Sequence, residues 1–98
     1  MAQNTIVSTL MTVSTSILPI PASRADNRVG IIIQNLHATV DLYIGSSTVA
    51  TTTGIKVAAN GGKIELSHQW QDPIIYGVCA SSNDAVRVME ISCSAREL

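Results

Sequence analysis

The stretch NRVGIIIQNLHATVDLYIGSS, residues 27–47, is the densest apolar run in the chain and decides how the rest is read. Val29, Ile31 and Ile33 share one parity, with Gly30, Ile32 and Gln34 on the other. Successive side chains of a strand point to opposite faces, so this period of two describes a strand, and apolar residues on both faces describe a central strand covered twice. NLHAT connects it to a second run, in which Val40, Leu42 and Ile44 alternate with Asp41 and Tyr43. The stretch therefore predicts a β-hairpin whose second strand is half-exposed, ended by Gly45 and two serines. It holds no nucleophile motif, metal cluster or phosphate loop.

Outward from this centre the same pattern repeats. Toward the C-terminus come a polar strand or loop through TVATTTG, a short strand at Ile55–Val57, and the turn NGG at residues 60–62. Asn-Gly between strand-like runs is the strongest short-range hairpin signal. Beyond it, Ile64 and Leu66 alternate with Lys63 and Glu65, SHQWQDP forms a loop, and residues 74–80 and 85–91 predict a last hairpin around SSND. Toward the N-terminus, residues 5–16 read as an imperfect, β-branched strand without a helical stripe. The two prolines of ILPIPAS forbid a regular ladder and mark an edge or a crossing, and RADNR follows as a turn with Asp26 and Asn27 suited to side-chain-to-backbone bonding. The expectation is an all-β, single-domain sandwich or barrel of about seven short antiparallel strands, residues 17–98, preceded by an N-terminal strand or arm, residues 1–16. Its core is expected from Val29, Ile31, Ile33, Leu42, Ile44, Leu66, Ile75, Val86 and Val88.

Composition narrows the functional classes. Of 98 residues 46% are hydrophobic but only 13% charged, with no Phe, one Trp, two Tyr and a net charge of −1. Nucleic-acid binding relies on clustered Lys and Arg, which are lacking. A net charge near zero does little to keep copies apart, so the composition reads as that of a subunit within an assembly, a homo-oligomer, with a merely uncharged Ser/Thr-rich monomer as the alternative. The first 25 residues lack the basic n-region of a secretory signal, and no run approaches the ~18 apolar residues of a membrane helix, so no membrane partner is expected.

Candidate chemistry is sparse. A terminal hairpin turning at Ser82–Asn83 places Cys79 opposite Val86, and the offset to Cys93 is then roughly 23 Å at ~3.3 Å per residue. A disulfide needs its Cα atoms within about 7 Å, so both cysteines are expected as free thiols, Cys79 as a small buried hydrophobe. His37 and His68 stand alone in loops without the further ligands a metal site needs. The seven acidic residues are read as scattered among loops and solvent faces, with no acid–base pair. No Gly-x-Ser-x-Gly elbow or Gly-Lys-Ser/Thr cradle occurs. No catalytic, cofactor or metal site is expected, and the chain is not read as an enzyme. Two features remain as candidate contact residues. Arg24, Asp26 and Arg28 in RADNR make either a solvated turn or an interface, and Trp70 either caps the core or anchors a partner.

The order of motifs adds to this reading. ILP, SRADNRVGIIIQN, VDLYIG, TTTGIKVAANGGKIEL, IIYGVCASS and AVRVMEI succeed one another over residues 17–91. This succession resembles small β-rich virion proteins of tailed bacteriophages, capsid decoration (cement) subunits or parts of head fibres. The resemblance implies a non-enzymatic building block of the virion, assembled in the host cytoplasm, with the major capsid protein and copies of itself, a trimer being one such assembly, as partners. Residues 2–16 are expected to reach another subunit, because edge strands pair readily. The alternative is a receptor- or glycan-binding module of a head fibre or tail, using loops around Trp70 or residues 51–54.

Overall fold

The computed structural model describes residues 4–21, 28–67 and 74–93. Eight strands form: β1 (Asn4–Val13), β2 (Leu18–Ile20), β3 (Arg28–Asn35), β4 (Leu42–Gly45), β5 (Ile55–Val57), β6 (Gly62–Ser67), β7 (Ile75–Cys79) and β8 (Asn83–Cys93). They make two four-stranded antiparallel sheets, ordered β1-β8-β3-β6 and β2-β7-β4-β5. The expected all-β sandwich is what the chain forms.

The pairing is nested. β1 lies against β8, β2 against β7, β3 against β6 and β4 against β5. One long antiparallel ribbon, with the β4–β5 loop at its tip, is thus folded over on itself, the arrangement of an eight-stranded jelly roll. This corrects three expected hairpins. β3 and β4, β5 and β6, and β7 and β8 each lie in different sheets, so NLHAT, AANG and ASS are corners that pass the chain from one sheet to the other. Asn60 and Gly61 do adopt the positive φ values (66° and 104°) that Asn-Gly favours. Such a turn reverses the chain locally, but it does not dictate which strands pair. The true hairpin is β4–β5, across a loop read from sequence only as polar.

The core sits between the sheets. Ile31, Ile33, Leu42, Ile44, Ile75, Val86 and Val88 are buried as expected, and Leu66 packs against them half-buried. The side chain of Val29 lies outside the described residues. Val13, Ile20, Val57 and Cys79 complete the core. Ile20 belongs to β2, an edge strand containing Pro19, which agrees with the reading of ILPIPAS. Gly77 leaves room for the inward side chains of its own sheet's neighbouring strands: a Cβ there would collide with Ile20 Cδ1 of β2 and sit 3.3 Å from Leu42 Cδ1 of β4. Residue parity along β8 directs Val86, Val88, Glu90 and Ser92 inward together. Glu90 is consequently 1% exposed, which corrects its expected place on a solvent face.

Candidate functional site

Polar side chains of the interior are concentrated where strands end. Asn35, last residue of β3, and Asn83, first of β8, are both fully buried. Asn35 Nδ2 donates to the carbonyls of Val40 (2.8 Å) and Val57 (3.0 Å). Its Oδ1 accepts from the Asn83 amide (2.9 Å) and from the His37 N–H (3.1 Å). Asn83 Nδ2 also reaches the Val40 carbonyl at 3.2 Å, and Asn83 Oδ1 accepts from Ala85 N–H at 3.0 Å. Two amides thus stitch together the corners after β3, β5 and β7, and the low dielectric around them makes every member costly to lose. His37 Nδ1 accepts from the N–H groups of Thr39 and Val40, both at 3.1 Å, which puts its ring hydrogen on Nε2. Asp41 Oδ1 accepts from Ala59 N–H at 2.8 Å, while its ion pair with exposed Lys56 is 3.8 Å long. These groups are committed to structure.

Cys79 lies beside the same network as a free, buried thiol. Burial pushes its pKa above the ordinary value, a hydrogen bond with Asn83 opposes this, and the Asp41 charge adds to the rise. A thiol held protonated in this way is a poor nucleophile. Its freedom from a disulfide agrees with expectation, although the reason differs, because β7 and β8 are not paired. Among the described residues no group of three or more His, Cys, Asp or Glu is placed to hold a metal ion.

What the fold leaves outward is different in character. On the first sheet the register aligns three cross-strand rows on the outer face: Ile6, Ile91 and Gly30; Ser8, Met89, Ile32 and Glu65; Leu10, Arg87, Gln34 and Lys63. Ile6 is 62% exposed and Leu10 66% exposed, whereas Met89, Ile32 and Ile91 are half-buried by their neighbours. Ser8, Leu10, Ile32, Gln34, Arg87 and Met89 line a groove of about 500 Å³ across β1, β8 and β3. The apolar character of both faces of β3 was legible in GIIIQ. The expected second cover is not found among the described residues, and Ile32 instead forms part of the groove floor.

The second sheet treats its outer face otherwise. There the β4–β5 loop folds back, and Val49 is buried with its side chain within 3.0 Å of where a Gly45 Cβ would sit. Val78, outward by register, is also buried.

Of the residues singled out from sequence, Arg24, Asp26 and Trp70 lie outside the described residues, as does the side chain of Arg28. The backbone of Arg28 starts β3 opposite Ser92, with a register shift before Gly30. The residues that sequence reasoning passed over are Ile6, Leu10 and Met89. Their signal was the interleaving of apolar residues at the outward parity of β1 and β8. Comparison with models of known families, with curated proteins and with solved structures finds no match to the chain.

Proposed function

We propose that this chain is a structural component of a tailed-bacteriophage virion, a decoration subunit that binds the major capsid shell and stabilises it. The observation that carries the reading is the apolar outer face of the first sheet. Large exposed apolar side chains grouped on one face, rimmed by Arg87 and Lys63, have the composition of a protein-contact surface rather than of a small-molecule site. The buried amides of Asn35 and Asn83 are bound up in holding corners together, which fits a protein whose contribution is its fold. The motif order over residues 17–91 points to the same class, and jelly rolls are a frequent architecture of capsid proteins, although fold alone does not assign function. Covering Ile6 and Leu10 supplies about 1.5–3 kcal/mol for each side chain fully buried. Leu10→Asp is therefore expected to keep the wild-type circular dichroism and to lower retention on purified capsid shells at least tenfold, roughly 1.4 kcal/mol. Undiminished co-sedimentation of the variant with shells would remove this face from the contact.

A second reading is favoured by the other sheet. Register places Tyr43 opposite Val78 and Tyr76 opposite Gly45, so both tyrosines stand on one outward face as diagonal neighbours. Paired aromatic rings on a surface suit a glycan-binding module of a head fibre or tail. Saturable binding on a glycan array, abolished by Tyr76→Ala, together with no affinity for capsid shells, would select this function over the first.

A further inference from the structure

The four sheet edges are not alike. An edge strand presents a row of free N–H and C=O groups, and proteins blunt it with brevity, proline or charge. β2 has three residues, one of them Pro19, and β5 has three residues with exposed Lys56 at the centre. β6 has six residues and exposes Lys63 and Glu65. β1 is built the opposite way. Its ten residues, NTIVSTLMTV, include no charge, no proline and no glycine, and Ile6 and Leu10 stand exposed on it. Val7, although it shares the inward parity of Met11 and Val13, is still 39% exposed because nothing among the described residues lies beyond this edge.

The sequence of β1 is also self-complementary. In an antiparallel pair of identical strands centred on Ser8, Ile6 of each copy falls opposite Leu10 of the other, Val7 opposite Thr9, and Ser8 opposite Ser8. Centring one residue to either side sets Ile6 against Ser8 or Thr12 instead. Of these three registers, only the one at Ser8 places large apolar side chains together on the outer face, with small ones at the axis. A copy brings no repulsion to this edge, since β1 is uncharged and the chain carries a net charge of −1.

We infer that two copies of this chain pair through β1 in antiparallel fashion about a two-fold axis at Ser8, joining their first sheets into one continuous eight-stranded sheet. The pairing is isologous, the self-matching kind that closes as a dimer and does not propagate. It satisfies the free backbone groups of β1, covers Val7, and runs the two outer grooves into a single apolar band across the axis. The inference does not rest on the proposed function: a dimer that ignores capsid shells would sink that function and leave this interface standing.

The test uses charge at the axis, where a residue meets only its own copy. Opposite residues on antiparallel strands have Cα atoms about 4.5–5.5 Å apart, so Ser8→Lys sets two ammonium groups together, and Ser8→Glu two carboxylates. Ser8 is exposed, and both variants are expected to keep the wild-type circular dichroism. Sedimentation equilibrium of the full chain should show a concentration-dependent dimer for wild type and a dissociation constant at least about tenfold higher for either variant. An equimolar mixture of Ser8→Lys and Ser8→Glu should recover the dimer. Should either charge unfold the chain, Ser8→Cys in a Cys93→Ser background replaces it. That thiol pair fits the ~4.4–6.8 Å Cα window of a disulfide and is expected to form the covalent dimer on mild oxidation, whereas Leu10→Cys is not. A wild-type monomer at all concentrations, a Ser8→Lys dimer of unchanged affinity, no rescue on mixing, or equal cross-linking at Leu10 would each overturn the inference.

Discussion

The two ends of the first sheet satisfy their buried polar groups to different degrees. At one end Asn35 and Asn83 share their amides with each other and with four backbone groups, at distances of 2.8–3.2 Å. Toward the other end, on the same inward face, stand Glu90 and Ser92, and Ser92 Oγ is buried with no hydrogen-bond partner among the described residues. The first end is where chain corners pass between sheets without the help of strand pairing. There the side-chain amides do what ladder bonds do inside a hairpin. A jelly roll needs such a device because most of its consecutive strands are not neighbours, and the difference between the ends shows where the fold has invested it.

The sharpest way to break this contrast is Asn35→Leu, which keeps the number and branching of side-chain heavy atoms and removes every bond of that amide. It takes donors from two carbonyls and an acceptor from the His37 N–H and the Asn83 amide, a loss of roughly 3 kcal/mol or more. For a domain of this size that is a fall of at least about 10 °C in melting midpoint. A fall of only a degree or two would mean that the corners are held by packing alone. Ser92→Ala probes the opposite end and is expected to change stability by less than about 1 kcal/mol, in either direction, because no bond among the described residues is lost with the hydroxyl. A loss above about 2 kcal/mol on urea unfolding would show that the Ser92 hydroxyl is part of a network at this end.

The smallest effect near neutral pH belongs to Cys79 and appears only in alkali. Its folded pKa is raised, first by burial, from the ordinary 9.0. Above that value the unfolded chain loses a proton that the folded chain retains, so the unfolded state binds fewer protons and stability falls as pH rises. Below it both states hold the proton and the stability contribution is intact. Cys79→Ala should flatten the part of the alkaline loss that sets in above pH 9, measured as melting midpoint against pH. An unaltered slope would assign the alkaline loss to other groups.

How far these features were legible follows from what local sequence encodes. The parity of IIIQN, DLYIG and KIEL located strands and their inward residues, because burial on one face writes itself into every second position. Pairing across sheets left no such mark. NG at residues 60 and 61 reported a left-handed turn correctly, and the same chemistry serves a hairpin or a corner. Asn35 and Asn83 looked like ordinary loop residues, since nothing in either neighbourhood announces a partner 48 positions away. Glu90 followed its strand's parity inward, yet its charge weighed more heavily in the reading than its position. The open edge was more visible: a ten-residue strand without charge at the start of the chain, flanked by no device that blunts it.

The nested ribbon also sets the order in which the molecule can be made. β1 is the earliest of the described strands to leave the ribosome, and its partner β8 is the latest, with Asn4 finally opposite Cys93. The β1–β8 pairing at the edge of the first sheet must close the longest loop the fold contains, a step that places such chains among slow folders. Until β8 is complete, both sides of β1 lack a partner, and its uncharged, β-branched sequence is the kind that joins other chains. Crowded synthesis from neighbouring ribosomes therefore favours encounters between copies through this strand before either copy is whole.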